Sequence, residues 1–285
     1  MELKGSKTEE LLLIAFTSEL QANAHYIYYA DAFRAAGLHE IADIFEATAN
    51  NEAEHARHEF DFFGDTSDIM TSLNEAIRGE HTEVTEFYPE AAQVASDEGF
   101  TEIAEFFSRM AKVEAKHEKN FRDVLAGLEK GAEFTGRTVG HSRVEMAQVM
   151  LPDQANPAGF VHGGELMKLM DNAAGVVAAR HSRSNIVTAR VEDIVFKNPV
   201  RVGGLVIIHG RLIFTSRSSM EVLVEVEMED LRNGDKMPAL SARFVMVALN
   251  ASGKATQVQP LIISTEEEEK LYNEAKLRYE SRKKS

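Results

Sequence analysis

Residues Asn156 to His181 read Asn-Pro-Ala-Gly-Phe-Val-His-Gly-Gly-Glu-Leu-Met-Lys-Leu-Met-Asp-Asn-Ala-Ala-Gly-Val-Val-Ala-Ala-Arg-His. Asn156, Pro157 and Gly159 open the stretch as a turn, because these residue types favour bends. A helix follows. Leu166, Leu169, Met170, Ala173, Ala174, Val177 and Ala178 recur at the i, i+3, i+4, i+7 spacing of one buried face. Gly163 and Gly164 fall where that helix begins, so their backbone N–H groups can come close to a ligand. Asp171 lies beside the apolar stripe, as either a cap or salt-bridge partner, or a working carboxylate.

The segments after this helix read as strands. Residues 186–197, 205–215, 221–231 and 239–249 are rich in Val, Ile, Leu and Phe, partly alternating, and Asn233-Gly234 is a hairpin signal. Val222, Val224 and Val226 against Glu221, Glu225 and Glu227 predict a strand with one wet face. A strand over 143–151 precedes the helix. One long apolar helix wrapped by an antiparallel sheet buries both elements, an α+β architecture.

Asn156-x-x-Gly159-x-Val161-His162-Gly163-Gly164, Met170-Asp171 and Phe196-x-x-Pro199-Val200-x-Val202-Gly203 resemble the acyl-CoA thioesterases of the hotdog fold, over residues 142–285. The resemblance implies hydrolysis of an acyl-CoA to a free acid and CoA. Asp171 would then be general base or nucleophile, Asn156 would polarise the carbonyl or orient water, and the Gly163/Gly164 backbone would hold the oxyanion. His162 reads as a local packing or hydrogen-bonding group, with a role as the base as its alternative. Arg180, His181, Arg183 and Lys197 are candidates to meet the CoA phosphates. Asp171 sits about 10 Å from the helix start at 1.5 Å per residue, so a partner protomer is expected to complete the site. The family implies a homo-oligomer, a dimer or a trimer of dimers. Residues 265–284 predict a last helix with Glu266 to Glu269 at its start and basic residues at its end, the sense that complements a helix dipole.

The 285 residues include no cysteine, which excludes disulfides, thiolate metal sites and a cysteine nucleophile. No apolar run reaches membrane-spanning length, and a cytoplasmic protein without membrane attachment is the expectation. Charge is uneven. Residues 1–133 hold 28 acids and 11 Lys/Arg, net −17, and the remainder holds 18 acids and 20 Lys/Arg, net +2, together the −15 of the whole chain. So acidic a first half argues against nucleic-acid binding. With the change from helical to strand pattern, it predicts two domains, 1–133 and 142–285, joined by a linker over 134–141.

The first domain reads as four helices with inward carboxylates. Glu19 falls in the apolar stripe of the first, and Glu80 and Glu83 in that of the third, where Pro89 is expected to kink or split the helix. Glu52-x-x-His55 and Glu114-x-x-His117 each put a carboxylate and an imidazole on one helix face. A Glu from two helices and a Glu-x-x-His from two others is the ligand set of a dinuclear carboxylate site in a four-helix bundle. Buried glutamates without a cation cost several kcal/mol each, and two divalent metals supply the compensation.

Ser18-Glu19-x-Gln21-Ala22, Gly79-Glu80-x-x-Glu83-x-Thr85-x-Phe87-Tyr88-Pro89 and Glu114-x-x-His117-Glu118 resemble rubrerythrin, a ferritin-like di-iron protein, over residues 5–130. The resemblance implies two iron ions on Glu19, Glu52, His55, Glu80, Glu83, Glu114 and His117, with Tyr26 and Tyr88 beside them, and peroxide reduction. Manganese or a mixed pair suits the same ligands. The cysteine-ligated iron module common in rubrerythrins is missing, so an external electron donor is required for redox turnover. The chain is thus expected to be an acyl-CoA thioesterase fused to a di-iron module. The alternative is a peroxide-reducing or iron-oxidising protein, or a redox sensor, whose hotdog half serves assembly.

Overall fold

The computed structural model describes residues 3–64, 68–131 and 136–284. Residues 134 and 135 of the expected linker lie outside them. By compactness the chain divides into Met1–Glu75 and Ala76–Ser285.

The first unit is a helical hairpin. α1 spans Lys7–Ala35 and α2 spans His39–Phe63. Ser6 caps α1, its hydroxyl accepting from the Glu9 N–H. Gly37 turns the chain at φ 77°, and Leu38 N–H closes the turn on the Phe33 carbonyl at 2.9 Å.

The second unit repeats that design. α3 (Ile69–Thr82) begins before the division and runs through a π-helical turn, Glu83–Phe87, into α4 (Tyr88–Asp97). α5 follows at Thr101–Glu129. Gly99 has φ 86°, and Phe100 N–H closes on the Ala95 carbonyl at 2.8 Å, as Leu38 does in the first hairpin. Both turns hold three residues, yet Glu19 to Glu52 is 33 residues and Glu80 to Glu114 is 34. The π turn accounts for the extra one. Pro89 has no N–H and would clash with the carbonyl four residues back, and the wider turn before it absorbs this without breaking the run.

The rest of the chain is a hotdog. After β1 (Arg137–Thr138), α6 (Val139–Ser142) and β2 (Val144–Val149), the central helix α7 spans Gly163–Ser182. β3 (Asn185–Phe196), β4 (Leu205–Thr215), β5 (Ser219–Asp230) and β6 (Asp235–Leu249) form with β2 an antiparallel sheet in the order β2-β4-β5-β6-β3. All seven apolar positions expected to face inward on α7 are buried. Gly210 of β4 lets the helix come close, since a Cβ there would lie 2.9 Å from Val177 Cγ2. Val222, Val224 and Val226 alternate inward as expected.

β7 (Leu261–Ile262) pairs with β1, and α8 (Glu266–Lys284) follows. α8 covers Ile213 and Phe214 with Ala275, Tyr272 and Tyr279. It corrects one expectation. Glu221, read as part of a wet face, is 1% exposed, with Arg278 donating twice to its Oε1 (2.9 and 2.7 Å) and Arg282 to its Oε2 (2.9 Å).

By compactness the second helical hairpin, part of the expected 1–133 domain, groups with the hotdog. His117 Nε2 meets the Ser264 carbonyl at 3.0 Å, Asn120 Nδ2 donates to that of Ile263 at 3.4 Å, and Lys116 pairs with Glu269. Among the described residues, no helix is long and apolar enough to cross a membrane.

Candidate active site and metal centre

The turn before α7 is built by Asn156. Its side-chain Oδ1 accepts from the N–H groups of Ala158 (2.9 Å) and Phe160 (3.2 Å), which leaves the amide Nδ2 as the end able to donate to a ligand. Asn156 and Gly163 line a cavity of about 360 Å³ with Phe160, Leu166, Phe196 and Lys197. The Phe196 ring sits 3.1 Å from where a Gly163 Cβ would be, so any larger residue there would have to push the ring aside. His162 is the N-cap of α7, and its Nδ1 accepts the Gly164 N–H at 3.0 Å. His162 thus makes a local hydrogen bond that engages the Gly164 N–H in capping, while Gly163 borders the cavity.

Asp171 is exposed and does not line that cavity. Its Oδ1 accepts from the Thr188 hydroxyl of β3 at 2.6 Å. Thr188 was missed in the sequence because a threonine in a strand is ordinary, and its pairing with a helix residue 17 positions earlier exists only once β3 lies along α7. β3 is a sheet edge, with Val187, Val195 and Phe196 exposed beside it. One chain therefore presents Asp171 on an open edge and Asn156 with Gly163 in a separate cavity.

Of the residues expected at the CoA phosphates, Lys197 is exposed at the cavity. Arg183 is exposed at the left-handed C-cap of α7, and Arg180 is exposed with its guanidinium donating to the Arg143 carbonyl at 2.9 Å. His181 does not fit. It is 0% exposed, its Nε2 lies 3.0 Å from the Gln259 carbonyl, and burial holds its pKa below the usual histidine value. The position falls on the core side of α7, which a basic sequence context hides.

The metal-ligand candidates form two trios. In the first unit Glu19, Glu52 and His55 offer one ligand atom each, all within 4.8 Å of one another, and in the second Glu80, Glu114 and His117 do the same. His55 Nδ1 meets Glu52 Oε2 at 2.8 Å, and His117 Nδ1 meets Glu114 Oε2 at 2.6 Å. Shared hydrogen bonding with Glu52 raises the pKa of Glu19. Burial, then Glu114, pushes that of Glu80 up to about 7. A cation would relieve carboxylates crowded this way, and two oxygens with one imidazole nitrogen per trio suit a divalent metal. The ligands are half-buried, and His55 is exposed, so the expectation of fully buried carboxylates does not hold within one chain. Glu83 opens the π turn and stands outside both trios, acting on Glu80 by charge. Burial, then the charges of Glu114, Glu83 and Glu80, raise the Tyr88 pKa, which puts Tyr88 beside its trio. Tyr26 packs on Phe45 and Tyr29.

His117 adds an orienting contact. Burial opposes its protonation, while the Ser264 carbonyl and Glu114 outweigh it and raise the pKa. The carbonyl bond holds hydrogen on Nε2 and leaves Nδ1 for the trio, as outer partners of metal-binding histidines do.

The chain matches the rubrerythrin family model at residues 10–125 and 71–156, and the thioesterase superfamily model at residues 158–234. It is 43% identical over 144 residues to the cytosolic acyl coenzyme A thioester hydrolase of Rattus norvegicus, covering 50% of this chain and 38% of that protein. The chain thus spans well under half the length of the cytosolic hydrolases it matches. It is 41% identical over 145 residues to the rubrerythrin of Porphyromonas gingivalis, covering 46% of this chain and 72% of that one. A solved apo-hexameric acyl-CoA thioesterase superposes with a TM-score of 0.51 at 34% identity, covering 53% of this chain and 96% of that chain. The chain belongs to the rubrerythrin family through its N-terminal half and to the acyl-CoA thioesterases of the hotdog fold through its C-terminal half, and is a fusion of the two.

Proposed function

We propose that the C-terminal half hydrolyses acyl-CoA thioesters. The Asp171 carboxylate acts as general base on water, or attacks the carbonyl itself, with Thr188 fixing its orientation. The Asn156 amide and the Gly163 N–H donate to the thioester oxygen as negative charge develops on it. Lys197 at the cavity and Arg183 at the end of α7 are suited to CoA phosphates. Because Asp171 stands on an open edge and Asn156 lies in a separate cavity, the complete site joins the Asp171 of one protomer to the cavity of another, in a homo-oligomer built on dimers; one solved relative is hexameric. The cytosolic place named for the mammalian relatives is the one proposed for this chain.

The observation that carries this reading is the 2.6 Å bond from Thr188 to Asp171 on the central hotdog helix. Release of free CoA from acyl-CoAs of increasing chain length, by the wild type and by Asp171→Ala, tests it. Turnover by the wild type that vanishes in the variant supports the reading, and no turnover on any acyl-CoA overturns it.

The N-terminal half is proposed to hold two metal ions, iron or manganese, on Glu19, Glu52, His55, Glu80, Glu114 and His117, with Glu83 as a further carboxylate. Such a pair supplies redox chemistry toward peroxide or oxygen when bound, fed by an external donor because the chain has no cysteine. The His117 contact with Ser264, just before α8, favours a second reading in which the metal state modulates hydrolysis. Identical hydrolytic kinetics in metal-loaded and metal-free protein would end that reading.

A further inference from the structure

Each helical hairpin carries half of a ligand set. A dinuclear site takes one Glu from each of two helices and a Glu-x-x-His from each of two more. The first hairpin offers Glu19 with Glu52 and His55, and the second offers Glu80 with Glu114 and His117. The inner faces are as incomplete as the ligand sets. Among the described residues α1 and α2 bury only Ala30, Ala42, Ala49 and Ala56, and α5 buries none. Leu20 and Ile27 on α1 and Ile103 and Phe106 on α5 are 43–47% exposed. Apolar helix faces of this extent call for a partner.

The length of chain between the hairpins decides which partner. A ferritin-like bundle needs one long crossover that returns the chain along the bundle between its second and third helices. α2 has 25 residues and is therefore about 37 Å long at 1.5 Å per residue. Only residues 64–68 separate Phe63 from Ile69. Fully extended, they bridge about 20 Å. One chain cannot make the ferritin-like crossover with them.

We propose that the α1–α2 hairpin of one chain packs on the α3–α5 hairpin of a second copy. Two chains then build two bundles, each with Glu19, Glu52 and His55 from one chain and Glu80, Glu114 and His117 from the other. A connection this short between Phe63 and Ile69 favours a swapped dimer over a crossover within one chain. The inference rests on the dinuclear reading above and assigns its ligands to two different chains.

Two full-length variants test it. One carries Glu19→Gln, Glu52→Gln and His55→Gln. The other carries Glu80→Gln, Glu114→Gln and His117→Gln. Each is loaded with Mn(II) alone, and the exchange-coupled dinuclear signal is counted by electron paramagnetic resonance. Neither should give it. Refolded together in equal amounts, they should give about one quarter of the wild-type signal, because random exchange pairs an intact half with an intact half in that share of bundles. No signal in the mixture, from a wild type that shows it, overturns the exchange in favour of an up-and-down bundle closed within each chain.

A second measurement is independent of metal. Heavy-isotope-labelled and unlabelled wild-type chains are refolded together and cross-linked. Links between residues 7–63 and 76–129 that join labelled to unlabelled peptides support the exchange, and links confined to one isotope overturn it. A wild type without the dinuclear signal but with mixed links would remove the metal reading and leave the exchange standing.

Discussion

The hydroxyl of Thr188 donates to Asp171 Oδ1 across 2.6 Å, tying the edge strand β3 to the central helix α7. A carboxylate on an exposed helix face has several rotamers, and one short bond from a strand restricts it to the orientation that a reacting carbonyl must meet. Asp171→Ala is expected to lower kcat by about 10² or more, the usual worth of a positioned base. Thr188→Ala leaves the carboxylate and removes its orientation, so kcat should fall by up to about 10² while KM moves little. Steady-state CoA release measures both, and a Thr188→Ala enzyme with wild-type kcat would remove Thr188 from the mechanism.

Glu221 is the acid that holds α8 to the sheet. It is 1% exposed and bonded to Arg278 and Arg282, with Arg243 Nε 3.6 Å away. Glu221→Ala leaves clustered guanidinium groups without their buried counter-charge and should destabilise the fold by about 3–5 kcal/mol. Chemical denaturation measures the loss. A change below about 1 kcal/mol would mean that the arginines reach water once the carboxylate is gone.

His181 gives the hotdog half a pH dependence. Burial lowers its folded pKa below the 6.5 of a free histidine, so between the two values the unfolded chain binds the extra proton. Its contribution to stability is full above about pH 6.5 and declines as pH falls through the interval below, because the neutral buried ring must charge or leave the core. The midpoint of thermal unfolding should drop on acidification below that point, and His181→Gln should flatten this part of the profile. An unchanged slope in the variant would assign the acid sensitivity to other groups.

Gly210 is a close-approach position. A Cβ there would meet Val177 Cγ2 at 2.9 Å, with the Ala173 carbonyl at 3.7 Å behind it. Gly210→Ala should cost about 1–3 kcal/mol as overpacking between α7 and β4, and Gly210→Ala with Val177→Ala should recover part of it. Equal stability of the single variant and the wild type would show that Val177 turns aside freely.

Local periodicity determined much of this protein. The spacing of Leu166, Leu169, Met170, Ala173, Ala174, Val177 and Ala178 marked the central helix and its buried face, and the strands after it stand within a few residues of their pattern. The two Glu-x-x-His pairs with Glu19 and Glu80 marked the residues that gather into the two trios, because i and i+3 share a helix face in any fold. Tertiary structure decided what depends on neighbours distant in sequence. Glu221 looked solvent-facing until α8 covered it. His181 looked like one more basic residue until its side of α7 met the core. Thr188 had no signal before β3 lay along α7, and the Gly164 N–H was free only until His162 turned to cap the helix. The π turn before Pro89 leaves no mark in hydrophobic periodicity. A periodic pattern reports which residues of one element face together, whereas burial, hydrogen-bond partners and the division of ligands between hairpins depend on what each element packs against.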